Sequence, residues 1–367
     1  MEIIKNTISQ DEKYNEAWPD ITLTDSGILI CVYSQCTEHS DRSFTQIMLS
    51  ESKDRGQTWS PKHPLTESTE NRPYYYNTPR IQKMKNGRLI VTVDRVYGEH
   101  GTHSEARIVL YTSDDDGVVW DNGYETPASG IVPDKICELN NGRWLLSCHH
   151  KDSDSQKLVQ RLWYSDNEGI DWTGPIIVAK NQELNMCEAT LLTVKNKVVA
   201  LIRENSGKGL GCFKTISNDG GKSWSEAKEF PLAGCHRPVS GYLKNGYVMV
   251  TYRFFPGGRW GVFHNLQGAV MEAECLLSQG KKEEKVRIFQ IDHDNSPRPD
   301  TGYSGWVQFD DETIYAVNYI VDYRMKSFIR GYSFKMPESW FPTVKNIDKN
   351  AIKKRKKLKS HLVYDTV

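Results

Sequence analysis

Three side chains of very different chemistry, Glu188, Arg237 and Tyr303, stand at one register in three successive repeats of this 367-residue sequence. The register lies nine residues before the third residue of a recurring turn, and in chain order it holds Trp18, Thr78, Pro133, Glu188, Arg237 and Tyr303. A strand in a protein core carries apolar residues at such a place. A carboxylate, a guanidinium and a phenol there are instead the parts of an acid–base site. The carboxylate can take the phenol's proton, and a site that only binds a ligand has no need of that pairing. A guanidinium fork fits a carboxylate ligand and does not lose its charge, so the arginines point to an anionic ligand.

Two nested repeats predict the elements that position these residues. The first is an apolar strand, a tight turn and a second apolar strand. Its six turns are Asp25-Ser26-Gly27, Lys85-Asn86-Gly87, Asn140-Asn141-Gly142, Lys195-Asn196-Lys197, Lys244-Asn245-Gly246 and Asp310-Asp311-Glu312. Asn-Gly between β-rich runs is a strong hairpin signal. The second repeat is Ser-x-Asp-x-Gly-x-x-Trp, found at 52–59, 113–120 and 217–224, with a weaker copy at 165–172 where Asn167 replaces the Asp. It reads as a self-contained turn: the Asp accepts local N–H groups, the Gly takes a positive φ, and the Trp clamps the turn on the sheet. Repeats of this period mean a propeller or another array. Six hairpins with no helical period between them predict an all-β, six-bladed β-propeller over residues 1–342. Residues 1–14 are expected to pair with the last blade and close the ring. The remainder, 343–367, is a basic tail that includes the lysine- and arginine-rich run 353–359.

The second repeat is the Asp-box, or BNR repeat, and from about residue 15 to about 335 the chain resembles the sialidase superfamily. The resemblance is sharpest at Glu188-Ala189-Thr190-Leu191-Leu192, at Arg203-Glu204-Asn205, and at Asp300-Thr301-Gly302-Tyr303-Ser304-Gly305. It implies that Tyr303 is a nucleophile and Glu188 its base. A neutral phenol suits attack on a sugar that already carries a carboxylate beside the reacting carbon. Arg203 corresponds to the second of three arginines that clamp the substrate carboxylate. Arg259 corresponds to the third, with Arg237 and Arg253 as rivals. Blade one departs from the family: Ala17-Trp18-Pro19-Asp20 stands where an Arg-Ile-Pro element is expected. The nearest match, Thr78-Pro79-Arg80-Ile81, lies one blade later, so Arg80, with Arg95 on the following strand, is the candidate replacement. The acid/base residue falls on the loop after the second strand of blade one, where Asp41 is our choice and Glu99 and His103 of the blade-two loop are alternatives. His149 is expected to line the mouth.

Bulk properties narrow the function. Lys plus Arg equals Asp plus Glu, 47 each, so no global field draws the chain to nucleic acid or membrane. No stretch approaches the roughly 18 apolar residues of a membrane span. The N-terminus has no basic segment followed by an apolar run, and the eight cysteines are irregularly spaced, without a C-x-x-C pair. The expectation is a cytoplasmic protein with reduced thiols and no metal or organic cofactor. Its oligomeric state is open. The activity expected is a retaining, sialidase-like exo-glycoside hydrolase acting on a terminal acidic sugar or oligosaccharide. The alternatives are a polysaccharide lyase acting on uronates and a propeller that binds acidic glycans without chemistry.

Overall fold

Each predicted turn joins two strands. Asp25-Ser26-Gly27 lies between strands Asn15–Leu23 and Leu29–Cys36, with Gly27 at a φ of 85° closing the reversal. The same hairpin recurs at the other five turns, and further strands extend each into an antiparallel sheet. The computed structural model describes residues 1–98, 105–257, 263–278 and 285–341, and its sheets are the six blades of a β-propeller. Helix among the described residues is limited to two 3-10 turns, Ala273–Leu277 and Glu338–Trp340. The basic run 353–359 lies outside the described residues.

The ring closes as expected. Strand Ile3–Ser9 pairs antiparallel with Phe328–Phe334 and is the outermost strand of blade six, so the first and last parts of the chain share one sheet. Four blades carry an Asp-box turn built alike. Ser217 Oγ accepts the Gly221 N–H at 2.9 Å and donates to Asp219 Oδ1 at 2.8 Å, while Asp219 Oδ1 also accepts the Ser223 N–H. Trp224 donates its indole N–H to the Gly221 carbonyl. In the divergent copy Asn167 takes the Asp role through its carbonyl oxygen, and Trp172 donates to Tyr124, which itself donates to the Gly169 carbonyl. These turns sit between the third and fourth strands, at the same end as the first hairpin turn; Ser26 N–H accordingly reaches the Asp116 carboxylate of the next blade. Strand antiparallelism puts the start of each innermost strand at the opposite end.

Both faces of a blade are covered by its neighbours, so the strands read as near-continuous apolar runs, as in the fully buried Leu29–Cys36. The core is correspondingly divided. Apolar clusters fill the gaps between blades, for example Ile30, Val32, Leu89 and Val91 between blades one and two, and Val199, Leu201, Val248 and Val250 between blades four and five. All eight cysteines are free thiols and seven of them are buried.

Candidate active site

Propeller strands alternate, so a regular strand cannot give the mouth a chosen side chain without a break in the pleat. Here the break is a bulge repeated around the axis. Trp18, Val132, Glu188, Arg237 and Tyr303 all have positive φ, between 49° and 59°. Each costs roughly 1–2 kcal/mol for a non-glycine residue. Pairing slips at the same places, between Ala17 and Asp20, Cys187 and Thr190, His236 and Val239, and Gly302 and Gly305. A bulge re-aims one side chain and takes backbone groups out of the ladder. The register that carries the chemistry-bearing side chains is therefore a line of bulges. Blade three shifts it by one residue, from Pro133 to Val132. Blade two splits its innermost strand into Tyr74–Tyr76 and Arg80–Lys83, and Thr78 is turned onto the buried Asp94 carboxylate.

Glu188, Arg203 and Tyr303 come together at one side of the mouth. Tyr303 donates its phenolic proton to Glu188 Oε1 at 2.5 Å, and Arg203 Nη1 donates to both Glu188 oxygens at 2.8 and 2.7 Å. Arg203 Nη2 is held by Asn205 Oδ1, and Nη1 lies 3.5 Å from the Tyr303 oxygen. Burial alone would raise the Glu188 carboxyl. The Arg203 and His149 charges, with the hydrogen bonds from Arg203 and Tyr303, outweigh burial and hold it well below the carboxylate range. Tyr303 is pushed the other way, by burial and by the Glu188 charge, so it stays a neutral phenol. Two glycines make this possible. Gly302 has a φ of 110° and a Cβ there would lie 2.4 Å from Arg253 Cβ; a Cβ on Gly305 would strike the Asp20 side chain.

Arg253 flanks the phenol, its guanidinium carbon 5.7 Å from the ring centre and its Nη1 3.7 Å from Asp300. His149 acts electrostatically on Glu188 and is buried. On the far side, Trp18 makes an edge contact with Tyr303, ring centres 6.5 Å apart. The Arg42 guanidinium stacks on Trp18 at 4.1 Å. His39, from the same loop as Arg42, meets the Trp18 edge and pairs through Nδ1 with Asp300 Oδ2 at 2.7 Å. His236 and His264 lie against Phe255. Burial, then the Arg203 and Arg253 charges, push His236 down to about 2; burial and Arg253 push His264 down to about 4, so both are neutral imidazoles.

Other candidates from the sequence make different contacts. Arg80 is fully buried, hydrogen-bonded to the carbonyls of Pro19 and Ser304 and paired with Asp20; burial lowers its pKa to about 10. Arg237 is likewise fully buried, on the carbonyls of Pro133 and Ala189, with its guanidinium carbon 5.8 Å from the Tyr303 ring centre. Arg95 pairs with Glu125 of the blade-two edge strand. Asp41 is exposed, and its carboxylate accepts the Ser43 N–H of its own loop. Arg259, Glu99 and His103 lie outside the described residues. Sequence reasoning did not pick out His39, Asp300, Arg42 or the two neutral histidines as site residues. The signal for His39 and Asp300 was present, since each sits in a segment already singled out. Among the described residues no group of three or more His, Cys, Asp or Glu is arranged to hold a metal ion, and no helix is long and apolar enough to cross a membrane.

A family model described as BNR repeat-like domain matches residues 27–265, about two thirds of the chain. The protein belongs to this BNR repeat-like family. Among solved structures it is similar to a protein of unknown function from Dyadobacter fermentans, at 19% identity and a TM-score of 0.74, over 91% of this chain and 99% of that one. It is also similar to the Hadza microbial sialidase Hz136, at 17% identity and a TM-score of 0.66, over 88% of this chain and 66% of that one. A third likeness is the intramolecular trans-sialidase of Ruminococcus gnavus, at 14% identity and a TM-score of 0.64, over 89% and 95% of the two chains. At these identities the likeness establishes a sialidase-like propeller fold. No curated protein matches the sequence.

Proposed function

We propose that this BNR-family protein is a retaining glycoside hydrolase that removes a terminal acidic sugar, with Tyr303 as nucleophile and Glu188 as its base. The observation that carries the reading is the 2.5 Å hydrogen bond from the Tyr303 phenol to the Glu188 carboxylate, with Arg203 fixing the carboxylate from its other side. Glu188 is too well stabilised to take a proton from a resting phenol. It takes that proton as the Tyr303–carbon bond forms, so attack and proton transfer proceed together. A phenol carries no charge to repel the substrate carboxylate, whereas an Asp or Glu nucleophile would. The cluster holds three guanidinium groups, Arg203, Arg253 and Arg42, beside the carboxylates Glu188 and Asp300, which supports an anionic ligand. Trp18 at the blade-one bulge supports an acidic sugar other than the commonest sialic acid, because it replaces a charged contact with an aromatic face.

The test is fluorophore release from aryl α-sialosides, aryl glycosides of the deaminated nonulosonate, and aryl uronides. Wild-type turnover is expected on at least one of them, and Tyr303→Phe is expected to lose about a thousandfold or more in kcat/KM while still binding the sugar. An unsaturated product absorbing in the ultraviolet would replace this reading with a uronate lyase. Binding without turnover in wild type and variant alike would replace it with a glycan-binding propeller.

A further inference from the structure

The loop after the second strand of blade one, residues 37–44, supplies the mouth with a histidine. Asp41 of the same loop accepts the Ser43 N–H on its carboxylate. His39 reaches instead to blade six, 261 residues away, where Asp300 Oδ2 receives Nδ1 at 2.7 Å. Asp300 is held from three other directions: Tyr319 donates to its second oxygen at 2.7 Å, its own N–H donates to Asp294, and Arg253 approaches to 3.7 Å. It precedes Tyr303 by three residues on the same run of chain. Trp18 spans the two sides, with ring centres 5.3 Å from His39 and 6.5 Å from Tyr303. His39 itself is exposed, unlike the other members of the cluster.

We infer that His39, oriented by Asp300, is the acid/base residue of the reaction, donating its Nε2 proton to the leaving oxygen. This rests on the hydrolase reading. With Nδ1–H committed to Asp300, Nε2 is the nitrogen left to exchange a proton with substrate. In the first half-reaction Tyr303 Oη bonds to the anomeric carbon and its proton passes to Glu188. The glycosidic C–O bond breaks and its oxygen leaves with the His39 Nε2 proton. In the second, water attacks the anomeric carbon and gives a proton to His39. The tyrosyl–carbon bond breaks, and the phenolate recovers its proton from Glu188. The titratable and charged groups around His39 are Asp300 with Arg253 behind it, Arg42 and Glu38 of its own loop, Lys326 of blade six paired with Glu38, and the neutral His264.

The experiment compares two glycosides of whichever sugar the wild type hydrolyses, one with a 4-nitrophenyl and one with a methyl leaving group. His39→Gln should lose about 10²- to 10⁴-fold in kcat/KM on the methyl glycoside and less than about tenfold on the nitrophenyl one, which needs no proton to depart. Asp41→Asn should stay within about threefold on both. Asp300→Asn should show the same leaving-group dependence with a smaller loss, since the imidazole loses the partner that orients it. Equal losses on the two glycosides in His39→Gln, or a leaving-group-dependent loss in Asp41→Asn, would overturn the assignment and leave the hydrolase reading intact. No hydrolysis by wild type of any sugar tried overturns both. His39 is exposed, so a melting curve matching wild type is expected and separates chemistry from folding.

Discussion

Two pairs of arginines line the axis of this propeller, and they do different work. Arg80 and Arg237 are 1% and 0% exposed, and their donors go to backbone carbonyls. Those carbonyls belong to Pro19, Ser304, Pro133 and Ala189, each the residue directly after a bulge. The bulges remove them from the strand ladder, and one buried guanidinium serves two blades at once. Asp20 and Asp134, two residues past the bulges of blades one and three, accept the N–H groups of Ile81 and Leu191 in the following blades and lie in the field of these arginines. Arg203 and Arg253 are only slightly more exposed, at 8% and 7%. Their donors, however, face Glu188, Tyr303 and Asp300, with Arg253 Nη1 also reaching the Thr301 carbonyl at 3.4 Å. The partner, a pair of bulge carbonyls or the carboxylates Glu188 and Asp300, separates an arginine that holds the ring from one that serves the mouth. Burial does not.

The sharpest way to break this contrast is to remove one member of each pair. Arg237→Met strips two carbonyls of their donor and takes from Asp134 the larger of two neutralising charges, so it should cost about 3–5 kcal/mol and lower the melting temperature by on the order of 10 °C. Arg253→Met should cost only about 1 kcal/mol in stability. Its effect should be a rise of about ten- to a hundredfold in KM for the acidic sugar, which rests on the proposed function. Urea unfolding and steady-state kinetics on the two variants decide it; similar stability losses in both would dissolve the distinction.

A smaller effect sharpens it through pH. His236 and His264 are kept neutral in the fold and protonate in the unfolded chain below the ordinary histidine value of 6.5. The unfolded state therefore binds more protons as pH falls, and stability declines from pH 6.5 downward. Glu188, held below its ordinary 4.5, adds a second decline below that pH as the unfolded carboxylate protonates first. His236→Gln should flatten the first decline and leave the second. Unfolding midpoints at about pH 7.5, about 5.5 and about 4 would measure both. An unchanged slope between the first two would show that His236 is not the buried neutral group.

Much of the fold was legible because its signals are local. A Gly at positive φ, an Asp that caps its own turn and a Trp that returns to a nearby carbonyl all act within eight residues, so six turns and four Asp-boxes could be counted directly. The bulge register was legible for the same reason, as an offset from the turns, and it failed where blade three shifts by one residue and where blade two splits its innermost strand at Thr78. Residue roles were less so. Arg80 and Arg237 look like ligand-binding arginines until the carbonyls of neighbouring blades are in place, because no sequence feature shows where a bulge leaves a carbonyl. Arg95 looked available because its partner, Glu125, lies thirty residues on, across the width of a blade. The His39–Asp300 pair joins the first blade to the last, and only closure of the ring brings it into being.

The central claim is that Tyr303 forms a bond to the sugar. Its most direct test is trapping. The protein is incubated with a fluorinated glycosyl fluoride of the sugar it turns over, a reagent that enters the first step and leaves the second slowly, and the digested chain is mapped by mass spectrometry. The account predicts an added sugar mass on the peptide containing Tyr303, absent in Tyr303→Phe. Continued turnover of the aryl glycoside with no adduct on Tyr303, or an adduct on another residue, would contradict it.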